Sequence, residues 1–319
     1  MFPVLALLAC DPGVPDVPAD APATVFEVPK GATARGLGPA LADAGVVRSA
    51  RRWTWFLRLG ADAGCIKAGR HEVRPGMDGA AILAALCAAP IPDEVSFTVV
   101  EGWRIRDIDA ALVDAGLAPA GAYTDATRAA GGYQAAFPLP SGTLEGYLYP
   151  ETYRLPAKDL DLHVLVQKQL DTFAARFWTA EGATLGGRSL HEVVTMASLL
   201  EREEPSPANR PLVAGILWKR IANDWNLGVD ATSRYTLADW NDRGAFMKKL
   251  RDPADPWNTR LRPGLPPTPI GNPALDSLKA AKAPVDSPYW YYLHDATKTL
   301  HPSRNKAEHE AFRKRFDVY

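Results

Sequence analysis

The sequence predicts an α+β fold, and three observations carry that expectation. Short alternating apolar stretches end at glycines and lead into apolar residues at helical spacing, three times before residue 118. A long helix carries start and stop signals at 189–205. The composition is that of a folded chain, with 47% hydrophobic and 23% charged residues over 319 positions. That length suggests more than one domain.

The first ten residues, Met1–Cys10, form an apolar run that stops at a cysteine. Residues 11–23 follow with four prolines and no apolar periodicity, which reads as an extended tether. Leu7-Leu8-Ala9-Cys10 resembles the lipobox of bacterial lipoproteins, which makes Cys10 a lipidation candidate. The run is shorter than the ~20 residues that span a bilayer. It also lacks a basic n-region, the first basic residue being Lys30. Export with a membrane anchor and an unstructured tail with a chance cysteine are the two readings; export is preferred. Cys65 and Cys87 either pair, as in an exported protein, or lie buried as thiols. The apolar run 80–89 around Cys87 favours burial.

Thr24–Gly31 alternates like a strand, and Leu37, Ala40, Leu41 and Ala44 then recur at helical spacing up to Gly45. His71–Gly76 with Ile82, Leu83 and Leu86 repeats the order. Phe97–Gly102 with Ile105, Ile108, Leu112 and Gly116 repeats it again. The expected division is an anchor and tether at 1–23, small strand–helix units at 24–118, and a mixed α+β domain at 119–319.

Several function classes are excluded. Lys and Arg total 36 against 37 Asp and Glu, so the basic excess of a phosphate-neutralising nucleic-acid binder is missing. His191-Glu192 is followed by Thr195 where a zinc protease helix needs its second histidine. Neither a full dinucleotide fingerprint, a P-loop nor a Gly-x-Ser-x-Gly elbow is present. No metal and no cofactor are expected.

Ser189 and Glu192 form a capping box ahead of a helix ending before Pro205. Leu190, Val193, Val194 and Ala197 share one face, and Glu201 falls in the middle of it. Desolvation and the negative helix terminus should both keep its carboxyl protonated. A protonated carboxyl is what a glycosidic leaving oxygen requires of a general acid. The competing reading is a buried carboxylate neutralised by Arg210 or Arg220. Glu203 is expected to point elsewhere and Glu204 to lie at a frayed end, each a second carboxylate or a solvated terminus.

Leu144-Glu-Gly-Tyr-Leu-Tyr-Pro-Glu-Thr-Tyr153 resembles a signature of the YceG-like, or MltG, family of endolytic murein transglycosylases. Ala197-Ser-Leu-Leu-Glu-Arg-Glu203 is similar to a second motif, in which the resemblance makes Glu201 the catalytic acid. Asn258-Thr259, Gly264–Ile270 and Asn272–Ala281 resemble its late motif. Tyr289–Leu293, His301 and Glu308-His309 resemble its closing one. Gly228–Thr232 keeps Asp230 and Thr232 but loses the rest of the family's pattern there, and Trp218-Lys219-Arg220 and Arg304 also depart from it.

The resemblance implies cleavage of the MurNAc-β-1,4-GlcNAc bond with 1,6-anhydro ends, a reaction one acid/base carboxyl can serve. It implies limits on nascent glycan strand length, glycan strands as substrate, peptidoglycan synthases as candidate partners, and a periplasmic position at the inner membrane. It also implies a LysM-like, peptidoglycan-binding N-terminal region. Substrate contacts are expected from Glu145, Tyr147, Tyr153, Glu203, Asp230, Thr232, Asn258, Thr259, Gly264, Leu265 and Pro266. Tyr147, Tyr149 and Tyr153 suit a sugar cleft or a half-buried strand equally, and the prolines at 263–269 suit a cleft wall or a surface loop. A glycan-binding scaffold without turnover and a water-using muramidase are the rival functions.

Overall fold

The protein is described by a computed structural model over residues 11–14, 17, 22–179 and 185–318. Cys10 and its lipobox-like run lie outside the described residues. The chain forms two compact units, Met1–Glu94 and Val95–Tyr319.

In the first unit, β1 (Thr24–Val28), α1 (Gly38–Asp43), α2 (Ala50–Arg58), β2 (Gly69–Val73) and α3 (Gly79–Cys87) follow in order. β1 and β2 are antiparallel, with Phe26 opposite His71. Alternation along both strands turns Phe26, Val28 and Val73 into a core with Leu41, Trp53, Ile82 and Leu86. Serine and aspartate cap the two longer helices, Ser49 on α2 and Asp78 on α3. Cys65 and Cys87 are joined as a disulfide, Cα atoms 5.0 Å apart. The preference for buried thiols is thereby corrected: Cys65 is exposed and Cys87 half-buried at the end of α3.

The second unit contains β3 (Glu94–Thr98), α4 (Ile105–Asp114), α5 (Ala122–Ala126), β4 (Thr152–Pro156) and α6 (Leu162–Phe173), which runs into a π-helical segment at Ala174–Thr179. Then come α7 (Leu190–Glu203), α8 (Arg210–Ala222), α9 (Asp230–Arg234), α10 (Arg243–Lys249) and α11 (Leu275–Lys282). β5 (Tyr291–His294), β6 (Leu300–Ser303) and α12 (Lys306–Arg315) close the chain. β3 pairs with β4, and β5 with β6 in antiparallel register. The sequence placed the domain boundary at 118/119, but it falls at Glu94/Val95. Phe97, Val99, Ile105, Ile108 and Leu112 bury in the same cluster as the α7 residues, so the third strand–helix repeat is part of the large unit.

α7 is the axis of that unit. Its capping box forms as the sequence predicts, with the Ser189 side chain accepting from the Glu192 N–H and Glu192 accepting from the Ser189 N–H. Every residue from Val193 to Leu200 is buried, Thr195 and Ser198 included. The helix is therefore enclosed on all sides, where a single apolar face was expected.

The Leu144–Tyr153 and Gly264–Asn272 motifs interlock. Gly146 has φ +90°, and a Cβ there would lie 2.5 Å from Pro269 Cβ, so only glycine fits beneath the proline loop. Asn272 Oδ1 accepts from the N–H groups of Gly146 and Leu148, both at 2.9 Å, and Asn272 Nδ2 donates to Trp103 O. The same loop is tied to α7 by the Ile270 N–H, which donates to Ser198 Oγ at 3.0 Å.

Candidate active site

Three glutamates end α7, and the structure gives each a different environment. Glu201 lies against Arg210 of α8: Nη2 donates to Oε1 at 2.8 Å, and each side chain is 6% exposed. The Ala274 N–H donates to Oε2 at 2.9 Å. The turn at Gly102 covers another side, since a Cβ there would sit 3.4 Å from Glu201 Cγ. Glu204 is the extended residue before Pro205 and is fully buried, accepting from Ser206 N–H at 2.8 Å and contacting His294 Nε2 at 3.0 Å.

Glu203 faces a cleft of about 820 Å³. Its neighbours there are Arg220 at the end of α8, the Asn223–Gly228 loop, Asp230 and Arg260, and the β5 residues Tyr291–His294, with His309 from α12. The Tyr292 hydroxyl donates to Glu203 Oε2 at 3.3 Å. Burial raises the Glu203 pKa, and the Asp230 charge raises it further; Ala231 N–H and the Tyr292 hydroxyl pull in the opposite direction. Asp230 itself is gripped by Arg260, whose Nε donates to Oδ1 at 2.7 Å. One carboxyl is thus held toward its acid form beside another paired with a cation.

The cleft wall is aromatic. Trp225, 37% exposed, stacks on Trp290 at 5.1 Å between centroids and meets Tyr291 edge-on at 5.3 Å. Tyr291 stacks on His309 at 5.2 Å. Arg220 orders this wall by donating to Trp290 O from Nε at 2.8 Å and to Leu227 O from Nη1 at 2.6 Å. The exposed Trp225 ring suits the apolar face of a sugar ring.

Of the residues predicted to contact substrate, Glu203 and Asp230 line the cleft. Glu145 is 2% exposed and accepts from the Ile105 N–H, the Tyr235 hydroxyl and Asn272 Nδ2. Tyr147 packs on Phe137 and Phe173, and Tyr153 donates to Tyr149 O at 2.6 Å; both rings belong to the core, as does Tyr149. Thr232 and Thr259 share a buried hydroxyl contact at 3.0 Å, and Asn258 donates to the carbonyls that close α10. Gly264 and Leu265 are half-buried and Pro266 buried, with none of them in the cleft lining. These motif residues build the scaffold. The residues missed by sequence reasoning are the Asn223–Asn226 loop and Arg260, which in sequence are an ordinary polar turn and a charge among many. The signal that was present is the aromatic run at Tyr289–Leu293.

Comparison with known proteins agrees with this architecture. The YceG-like family profile matches residues 26–315. The endolytic murein transglycosylase of Bacillus subtilis (strain 168) is 27% identical over 313 residues, covering 92% of this chain and 86% of that protein. The protein of the same name from Streptococcus pneumoniae (serotype 2, strain D39) is 23% identical, and the matched region spans 56% of its length. A crystal structure of a YceG-like protein from Listeria monocytogenes superposes with a TM-score of 0.59 at 23% identity, covering 91% of this chain and 98% of that one. With its profile match running almost end to end, the chain belongs to the YceG-like family.

Proposed function

We propose that this chain is an endolytic murein transglycosylase whose general acid/base is Glu203. The observation that carries the assignment is the division of labour at the end of α7: Glu203 lines the cleft with a raised pKa, while Glu201 is paired with Arg210 and is absent from that lining. Protonated Glu203 gives its proton to the glycosidic oxygen as the bond from the muramyl C1 breaks. The muramyl 6-hydroxyl oxygen then bonds to C1, and the Glu203 carboxylate takes the hydroxyl proton. No water is consumed, and the acid is regenerated for the next cycle. Asp230, paired with Arg260, raises the pKa of Glu203 before the reaction, and its charge faces the cationic sugar that develops during it.

The names of the Bacillus and Streptococcus relatives support the substrate class. Cleavage within strands shortens nascent glycan, and the first unit, proposed as a LysM-like module, holds the polymer. The Cys65–Cys87 disulfide supports an oxidising compartment outside the cytoplasm. Among the described residues no helix is long and apolar enough to cross a membrane; an anchor at Cys10 is part of the proposal, as is work alongside peptidoglycan synthases.

A second reading is favoured by Asp230. Asp230 lines the same cleft as Glu203, and a pair of carboxylates is what a water-using muramidase requires. Mass spectrometry of digested murein separates the two. Transglycosylation gives internal fragments lighter by one water than hydrolytic ones, with 1,6-anhydro ends. Reducing MurNAc ends would assign the muramidase, and intact murein would remove both.

A further inference from the structure

The cleft at Glu203 does not end at Asp230 and Arg260. That ion pair also lines a second cavity of about 850 Å³. Trp240, Phe246, Met247 and Leu250 supply apolar surface there, and Met247 is 42% exposed. Around it stand three arginines, Arg234, Arg243 and Arg260, against one carboxylate, Asp230. The Glu203 cleft lacks this excess, with Asp224 and Asp230 beside Arg220 and Arg260.

Two of the three arginines are committed. Arg260 holds Asp230, and Arg234 lies 3.7 Å over the Phe246 ring while donating to Trp240 O at 2.7 Å. Arg243, at the first position of α10, is exposed and makes no hydrogen bond or ion pair among the described residues. An unpaired guanidinium over an apolar floor is suited to a planar carboxylate carried on a partly apolar chain.

An enzyme that cuts inside a polymer holds units on both sides of the broken bond, so two abutting cavities suit one continuous strand. Muramyl units carry a lactyl ether extended by a peptide with free carboxylates. We infer that the second cavity is a subsite for the stem-bearing muramyl unit beyond the cleft, with Arg243 reading the stem carboxylate and Trp240 and Met247 bearing its apolar part. This inference rests on the cleft being a glycan site.

The test measures binding of two strand preparations to Glu203→Gln protein, which leaves them uncut: peptide-bearing glycan, and glycan stripped of peptides by an amidase. Peptide-bearing strands are expected to bind about five- to tenfold more tightly, and this preference should shrink with added salt. Arg243→Glu should abolish the preference, while Lys248→Glu, an equal charge change on an exposed residue outside the cavity lining, should keep it. A glutamate at the first helical position is favourable to the helix, so α10 should remain folded. Equal affinity for both strands, absence of binding to either, or a preference that survives Arg243→Glu overturns the subsite. Strand cleavage by the wild-type protein, scored separately, reports on the proposed activity. Cleavage without the preference removes the subsite alone, and the preference without cleavage removes the activity alone.

Discussion

Arg210 Nη2 and Glu201 Oε1 meet at 2.8 Å in a position where each side chain is 6% exposed. Removing one partner of such a pair strands the other charge in a poorly solvated site, which typically costs about 3–5 kcal/mol. Glu201→Ala and Arg210→Ala should each lower the unfolding free energy by roughly that amount, read from denaturant curves. The double variant should recover part of the loss, because no lone charge remains. A single variant as stable as the wild type would show that the pair does not stabilise the fold.

The pH dependence of turnover should respond to the neighbours of Glu203 with opposite signs. The Tyr292 hydroxyl lowers its pKa, so Tyr292→Phe should move the alkaline limb of the rate profile to higher pH. The Asp230 charge raises it, so Asp230→Asn should move the same limb to lower pH. Parallel shifts, or none, would disconnect Glu203 from the limb.

Glu145 gives a stability signature that is independent of activity. Burial lifts its pKa from 4.5 to about 7, against the hydrogen bonds from Ile105 and Tyr235. A carboxyl raised in the folded state supplies stability that is complete below the unfolded value and is lost as pH rises through about 7. Glu145→Gln keeps an oxygen acceptor and removes the titration. The wild-type protein should lose up to about 3 kcal/mol more than this variant between pH 4.5 and 7. Identical pH profiles would place the titration elsewhere.

Reduction of Cys65–Cys87, or the double serine variant, should destabilise the first unit by about 3 kcal/mol, as expected for a link closing a loop of this size. A transition assigned to residues 24–94 should move in calorimetry, and that of the second unit should not. An unmoved first transition would contradict the structural role of the disulfide.

The capping box of α7, the two strands and helices α1 and α3 of the first unit, and the four family motifs were legible in the sequence, because each is a local pattern with a local cause; α2 was not anticipated. Which glutamate at the end of α7 lines the cleft was not legible. Periodicity identifies which residues share a face, and Glu201 does share one with Val194 and Ala197. It cannot show that the helix is buried on every side, and that is why the residue expected to point elsewhere, Glu203, points into the cleft. Tyr147, Glu145 and Thr259 were recognisable as motif residues, but whether such residues touch a ligand or hold the scaffold depends on long-range packing. Asn272 bridging Gly146 to Trp103 spans well over a hundred residues of sequence, and no local pattern announces it.

The most direct measurement is murein cleavage by three proteins side by side, wild type, Glu203→Gln and Glu201→Gln, each with its thermal melt. Wild type should release anhydro-ended internal fragments. Glu203→Gln should keep a melt at least as high as wild type and lose at least about a hundredfold in rate, the lower end for removal of a general acid. Glu201→Gln should melt lower and retain cleavage in proportion to its folded fraction. A folded, inactive Glu201→Gln beside an active Glu203→Gln would contradict the assignment and return the acid to the Arg210-paired carboxylate.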